Sequence, residues 1–229
     1  MGLHLDAQNW SVVTVLDSVW IDSLRYVDKG WNWDSLFVLG RSLSLDHPRV
    51  NGSTGSFTIS HKQPNIIRKL DIVINNPGMR ALVKVPKLQF NHRIVHSAKI
   101  MEALNQVTLN QPSVDIAFQT VPPDETAGTS SGLQSLLLPA ITLEDPYIRL
   151  VREDDANKKE LASVQGGKVS LEPLHIKNDT VETGGMDVTF NQFSSHQEKF
   201  DLVLPRVSIK TGHISFKKDL PLKTILHRL

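Results

Sequence analysis

The segment Val107-Thr-Leu-Asn-Gln-Pro112-Ser-Val-Asp-Ile116 contains two short alternating runs separated by a proline. Each run reads apolar, polar, apolar, which is typical of a strand with one buried face. Proline removes a backbone donor and is found at sheet edges or bulges. The segment therefore predicts two short strand pieces around a kink, or one long strand with a bulge.

The same pattern returns twice in the second half of the chain. Ile141-Thr-Leu-Glu-Asp-Pro146-Tyr-Ile-Arg-Leu150 repeats it with the proline in the same place. Val207-Ser-Ile-Lys-Thr-Gly-His-Ile214-Ser-Phe216 repeats it without the proline. Three copies of one strand pattern indicate that the same structural unit is used several times.

A longer apolar pattern relates residues 19–50 to residues 83–114 at an offset of 64 positions. Such repetition indicates a supersecondary unit that occurs more than once, each copy packing against the next. We therefore predict a mainly β fold: an elongated, curved, repeat-built β-sheet, shaped like a trough or solenoid, with one or two short helices. The matched positions are Val19 and Val83, Ile21 and Val85, Leu24 and Leu88, Tyr26 and Phe90, Leu36 and Ile100, Phe37 and Met101, Leu43 and Val107, Leu45 and Leu109, Pro48 and Pro112, and Val50 and Val114.

A polar segment rich in proline and glycine divides the chain. Residues 121–135 are predicted to form a flexible loop. Residues 1–120 would hold the first pair of β repeat units, and residues 136–229 further β repeat units. Short helical or turn segments are expected at residues 30–39 and 97–104.

The composition argues against several classes of protein. The 229 residues carry a net charge of +1, so no basic excess favours a nucleic-acid partner. The chain has no cysteine, which excludes disulfides and thiolate metal sites. No run approaches the roughly 18 apolar residues of a membrane helix. The first residues do not resemble a signal peptide, so for a protein outside the cytoplasm we expect the sequence to be part of a longer chain.

Three sequence patterns are partly similar to known catalytic or metal-binding motifs. Gly128-Thr-Ser-Ser-Gly132 matches the nucleophile pattern around Ser130, but it lies in the predicted loop without a strand before it. His92 and His96 have the spacing of a metal pair but lack a third ligand. Glu153-Asp154-Asp155 lacks the spacing of a calcium loop. We therefore predict no catalytic residue, no metal ligand and no cofactor.

The apolar stripe of the strand copies is the remaining candidate site. As part of an ordinary sheet it is simply a core, whereas on an open curved sheet it would be an apolar groove. Each acyl methylene buried in such a groove contributes about 0.8 kcal/mol. The candidate lipid-binding, groove-lining residues are Leu45, Val50, Val107, Leu109, Val114, Ile116, Ile141, Leu143, Ile148, Leu150, Ile209, Ile214 and Phe216.

The unit formed by residues 82–90, a short helix and residues 107–116 resembles the repeats of AsmA/TamB-like bacterial envelope proteins, and residues 138–152 and 204–216 are similar. The resemblance covers about residues 17–216. It implies long β-sheets that curl into a trough with an apolar interior and carry phospholipid between two membranes. It also implies a periplasmic location in the cell envelope, as part of a longer membrane-anchored chain.

We therefore expect a non-enzymatic lipid-binding, lipid-transport or scaffold segment of a cell-envelope protein. Its partners would be phospholipid or another acyl-chain ligand, and other envelope proteins, but no nucleic acid. The alternative is a viral or phage structural protein, such as a β-sandwich capsid or tail subunit. A hydrolase that uses Ser130 is a remote third option.

Overall fold

The computed structural model describes residues 2–7, 9–27, 30–60, 64–76, 78–92, 104–119, 135–154, 157–177, 180–196 and 200–217. These residues are mainly β-strand and include no helix, so the predicted β class is confirmed. The short helical or turn segment predicted at residues 30–39 is not a helix, because most of it pairs with the chain before it as β-strand. The helix predicted at residues 97–104 falls outside the described residues except Leu104, which begins a strand.

The chain runs up and down in long strands, and many of these are broken into two or three pieces. The first half contains β1 (Gly2–Ala7), β2 (Trp10–Asp22), β3 (Arg25–Val27), β4 (Gly30–Asn32), β5 (Ser35–Asp46), β6 (Val50–Thr54), β7 (Phe57–Ser60), β8 (Asn65–Asn76), β9 (Met79–His92), β10 (Leu104–Asn110) and β11 (Ser113–Gln119). The second half contains β12 (Ser135–Leu138), β13 (Ala140–Glu144), β14 (Tyr147–Asp154), β15 (Asn157–Gln165), β16 (Lys168–Leu171), β17 (Leu174–Lys177), β18 (Thr180–Thr183), β19 (Met186–Phe190), β20 (Gln192–His196), β21 (Asp201–Leu204), β22 (Val207–Thr211) and β23 (Ile214–Lys217).

One sheet of 17 strands contains most of these elements. Neighbours in the sheet follow the order of the chain, from β1 at one edge to β21 and β22 at the other. A second sheet of four strands, β12, β17, β18 and β23, continues four of the long strands beyond a break in each. The breaks are at Pro139, at residues 172–173, at residues 184–185 and at residues 212–213.

Two copies of the kinked sequence pattern lie side by side in this sheet. β10 and β11 pair in parallel with β13 and β14, so that Val107 lies opposite Ile141 and Val114 opposite Ile148. The predicted division into two strand pieces is confirmed, and the pairing joins the segments before and after residues 120–134 in one sheet. Most of the predicted loop lies outside the described residues, although Ser135 belongs to β12.

The 64-residue pattern does not correspond to a repeated pairing. Val19 lies opposite Val38, so a strict structural repeat would place Val83 opposite residue 102. Val83 instead lies opposite Val114. The two segments therefore share an apolar alternation without sharing a hairpin register.

Backbone irregularities line up across neighbouring strands. Lys69, Gln111 and Asp145 have positive φ angles of 53°, 50° and 49°, which cost energy for residues other than glycine. Backbone hydrogen bonds continue through this line, for example from the Gln111 amide to the Glu144 carbonyl at 2.7 Å. The strained residues are therefore held by the pairing on both sides. We call this line the crease and define it by Gly55, Lys69, Pro86, Gln111, Asp145 and Gly167.

Asn65, the first residue of β8, ties three strands together. Its side chain is 1% exposed. Its Oδ1 accepts a hydrogen bond from the Ser60 amide, and its Nδ2 donates to the Phe90 carbonyl at 3.2 Å. We expect Asn65→Ala to lower the free energy of unfolding by about 2 kcal/mol, because it removes two buried hydrogen bonds. Urea denaturation would measure this loss. The exposed Asn105→Ala serves as control, and an equal effect of both changes would contradict the prediction.

Candidate functional site

An unbroken apolar row crosses the large sheet from edge to edge. Residues opposite each other on neighbouring strands place their side chains on the same face, because side chains alternate along each strand. The pairing therefore defines which residues share a row. The first row consists of Leu5, Val12, Leu45, Gly52, Ile72, Val83, Val114, Ile148, Val164, Phe193 and Leu204.

Three further rows are also predominantly apolar. The second lies beside the first and consists of Val50, Ile74, Ala81, Ile116, Leu150, Ala162, Ser195 and Leu202. The third lies beyond the crease and consists of Gly40, Phe57, Ile67, Leu88, Leu109, Leu143, Val169, Val188 and Ile209. The fourth consists of Asn65, Phe90, Val107, Ile141, Leu171, Met186 and Thr211.

The crease explains how rows on its two sides share one face. Leu109 and Val114 are five positions apart, which in a regular strand would put them on opposite faces. At the crease, however, consecutive residues such as Glu144 and Asp145 are both exposed. The positive φ of a residue such as Asp145 turns the strand so that two successive side chains lie on one side, after which the alternation restarts. We call the four rows together the apolar face.

The other face of the sheet is polar. One of its rows consists of Arg68, Lys87, Asn110, Glu144, Lys168, Thr189 and Ser208. Another, polar except for Val13, consists of Val13, Ser44, Ser53, Asp71, Lys84, Ser113, Tyr147, Gln165 and Gln192. Such a division between faces is normal for an antiparallel sheet that has one solvated side.

Ion pairs connect neighbouring strands in this part of the sheet, but they do not form a reactive site. At the parallel junction Arg149 Nε lies 2.8 Å from Asp115 Oδ1, and this hydrogen bond raises the pKa of Arg149. In the next hairpin Lys158 Nζ lies 2.8 Å from Glu153 Oε1 and lowers the pKa of Glu153. Both pairs are partly solvated, and such pairs contribute little to stability. Glu153, in the acidic run, thus has a structural partner across the hairpin.

The structure brings most of the candidate lipid-binding residues together on the apolar face. Leu45, Val114 and Ile148 are in the first row, and Val50, Ile116 and Leu150 are in the second. Leu109, Leu143 and Ile209 are in the third row, and Val107 and Ile141 are in the fourth. Ile214 and Phe216 belong to the four-stranded sheet, where they pair with Thr183 and Val181.

Several members of the same rows were missed by the sequence interpretation. These residues are Val12, Ile72, Val83, Val164, Val169, Val188 and Phe193. Their strands also alternate, but they lie outside the three copies of the kinked pattern. Alternation in every strand, rather than in the copies alone, is the signal that would have found them.

The apolar face is only partly shielded from solvent. Its central side chains, such as Leu109, Leu143 and Ile148, are half-buried. At the edge of the sheet Ile209 is 46% exposed and Leu202 is 40% exposed. Within the part of the chain that the structure describes, buried aliphatic and aromatic side chains are few: Phe57, Ala81, Val85, Val151, Val169 and Val188.

Three of the most buried side chains of the described chain lie at the crease, between the first and third rows, and Asn65 of the fourth row is equally buried. Val85, Pro112 and Pro146 are less than 2% exposed. They also lie opposite one another on neighbouring strands, because each is adjacent to a residue of the crease. Pro112 follows Gln111, Pro146 follows Asp145, and Val85 precedes Pro86. Side chains at the crease are therefore well shielded from solvent, and so are Phe57, Val169 and Val188 of the third row.

The residues considered for chemistry do not form a site in the described chain. Ser130 and His96 lie outside the described residues, and so does the side chain of His92. A shallow cavity of about 310 Å³ lies at the break between the two sheets, beside Glu172, His175 and His213. These groups, like all other His, Asp and Glu in the described ranges, are not arranged to hold a metal ion.

The described elements include no helix long and apolar enough to cross a membrane. The candidate site is thus the apolar face, which was identified by pairing and burial. No family model, curated protein or solved structure matches the chain.

Proposed function

We propose that this protein is a non-enzymatic, lipid-handling segment whose apolar face binds acyl chains. The observation that carries the proposal is the first apolar row, which runs without a polar side chain from Leu5 to Leu204. Ordinary monomers rarely expose large continuous apolar surfaces, and such surfaces mark a partner or ligand. Acyl chains match this surface because they need apolar contact and no hydrogen bonds.

The dimensions of a row suit an extended hydrocarbon. Neighbouring strands are about 4.8 Å apart, so a chain laid along a row touches a new side chain at each strand. Each methylene removed from water contributes about 0.8 kcal/mol. The parallel rows on both sides of the crease would provide adjacent binding surfaces for the two acyl chains of one phospholipid.

The burial pattern supports a sheet that bends toward its apolar face. A bend buries most deeply the side chains on its inner side, and Val85, Pro112 and Pro146 at the crease are less than 2% exposed. The positive φ angles of Lys69, Gln111 and Asp145 interrupt the regular strand geometry along this line. We therefore infer a trough with an apolar interior. This form is also what the resemblance to AsmA/TamB-like envelope proteins implies, so we propose that family, a periplasmic location and phospholipid as the ligand.

An assembly role is the second candidate function, because apolar side chains are exposed on the edge strands. Leu5 is 57% exposed on β1, and Val203 is 57% exposed on β21. Open edges of this kind are templates for pairing with another chain. A structural subunit of a virus or phage would use them to form regular oligomers.

The test compares charged substitutions on the two faces of the sheet. Ile209 and Ser208 are adjacent and exposed, but they lie on opposite faces. We expect Ile209→Asp to weaken binding of a fluorescent fatty acid, and Leu109→Asp combined with Leu143→Asp to weaken it about tenfold or more. Ser208→Asp should bind normally. Fluorescence titration measures affinity, and thermal denaturation monitors the fold.

Three results would contradict the proposal. The unmodified protein could fail to bind the fatty acid, or Ser208→Asp could reduce binding as much as Ile209→Asp. A large fall in melting temperature for both Leu109→Asp and Leu143→Asp would show a closed core, since each would then bury an unpaired carboxylate. Regular oligomers that form without lipid would favour the structural alternative.

A further inference from the structure

A two-stranded hairpin projects beyond the rest of the sheet. β2 and β5 pair with each other up to Asp22 and Ser35, and β3 and β4 continue this ladder. β1 pairs with β2 only over residues 10–15, and β7 reaches β5 only at residues 37–40. Among the described strands, residues 21–27 and 30–36 therefore pair only with each other, and the preceding Val19 and Trp20 pair only with β5. We call these residues the hairpin tip.

The hairpin tip exposes large apolar side chains. Adjacent residues of one strand point to opposite faces of a ribbon, so Val19 and Ile21 lie on one face and Trp20 on the other. A single flat partner could cover only one of these faces. The exposed fractions are 48% for Val19, 55% for Trp20, 42% for Ile21, 50% for Leu24, 62% for Tyr26, 43% for Val27 and 49% for Trp31.

Contacts within the tip keep it ordered in this exposed form. The rings of Tyr26 and Trp31 meet edge to face, with centroids 5.2 Å apart. Arg25 Nη2 lies 2.6 Å from Asp34 Oδ1. The arginine and one of the acidic groups thus neutralise each other, while the aromatic rings stay exposed. The tip is a preformed surface with a local ion pair.

We propose that the hairpin tip inserts into the interfacial layer of a lipid bilayer. A bilayer surrounds an inserted ribbon, so it can contact Trp20 on one face and Ile21 on the other. Tryptophan and tyrosine favour this layer because each has an apolar body and a polar group that remains hydrated. This inference does not rest on acyl-chain binding by the apolar face, since it concerns different residues.

The charge and area of the tip indicate which lipid it suits. Residues 19–36 contain Asp22, Arg25, Asp28, Lys29 and Asp34, so they have no basic excess to attract anionic lipid. Zwitterionic phosphatidylcholine is therefore sufficient. The exposed apolar side chains amount to roughly 600 Å², the upper end of the largest patch on a typical monomer.

The test measures binding of the full chain to phosphatidylcholine vesicles by co-sedimentation. Replacing Trp20, Tyr26 and Trp31 together with serine should reduce vesicle binding about tenfold or more. Trp10→Ser is the matched control, because Trp10 is 48% exposed but lies outside the tip. Adding anionic lipid or salt should change binding by the unmodified protein little.

A fluorescent fatty acid titration and thermal denaturation are run on the same variants. The triple variant should keep its melting temperature and its fatty acid affinity, which separates the tip from the apolar face. The proposal is overturned if the unmodified protein does not bind phosphatidylcholine vesicles, if Trp10→Ser is as damaging as the triple change, or if binding requires anionic lipid. It is also overturned if the triple change converts a dimer into a monomer without affecting vesicle binding.

Discussion

Gly167→Ala is expected to lower the free energy of unfolding by about 3 kcal/mol or more. Gly167 lies on the crease with φ of 86°, in a region that residues with a Cβ rarely adopt, and such strain costs about 1–3 kcal/mol. A Cβ at this position would also overlap the backbone carbonyl of Thr189 on the neighbouring strand. Because that carbonyl belongs to the ladder, it cannot move away without breaking the pairing of β16 and β19.

Gly212→Ala is the matched control for this change. A Cβ at Gly212 would meet no atom within 4 Å, and this glycine has no positive φ. The control should therefore be neutral, or more stable by up to about 1 kcal/mol because alanine restricts the unfolded chain. Urea denaturation followed by circular dichroism measures both. Equal midpoints for the two variants would show that the crease does not need glycine.

Val85→Asp is expected to have a comparable or larger effect. Val85 is 1% exposed and lies on the apolar face where the sheet crosses the crease. A carboxylate there has no described cationic partner, and burying it costs several kcal/mol, a large share of the 5–15 kcal/mol typical of whole domains. We expect most of this variant to be unfolded or aggregated at neutral pH.

The pH dependence provides an internal check on the Val85→Asp result. Burial would raise the pKa of the new carboxyl above its unfolded value of about 3.9. The folded state then binds more protons than the unfolded state, so the stability of the variant should rise as pH falls toward about 4. Gln111→Asp places a carboxylate on the exposed side of the crease and should change stability by less than about 0.5 kcal/mol. A Val85→Asp protein as stable as this control would mean that the face is open at the crease.

The sequence predicted the local structure of the kinked strands. Pro112 and Pro146 each sit between two alternating runs, and each run is a strand of the structure. Proline lacks a backbone donor and interrupts the ladder of hydrogen bonds where it occurs, so the position of the kink is a local property. The polar and apolar faces of each strand follow from alternation in the same local way.

The segment at residues 30–39 shows where local reasoning failed. Its spacing of Trp33, Leu36 and Phe37 suggested a helical turn, yet Ser35–Asp46 is a strand. The pairing of this strand with β2, in which Val38 lies opposite Val19, decides this outcome. Backbone hydrogen bonds to a preceding strand outweigh a weak helical pattern that has no cap and no long apolar stripe.

The sequence by itself determined that the chain forms strands with one apolar side and where two of them bend. Only the tertiary structure decided which strands are neighbours, because pairing depends on contacts between residues far apart in the chain. It placed Val107 beside Ile141 in parallel, and it aligned the kinks of separate strands into one crease. Alternation repeats every two residues and is the same in every strand, so it cannot specify which strand is the partner. The register of the backbone ladder specifies the partner residues, and it joins separate apolar side chains into one continuous face.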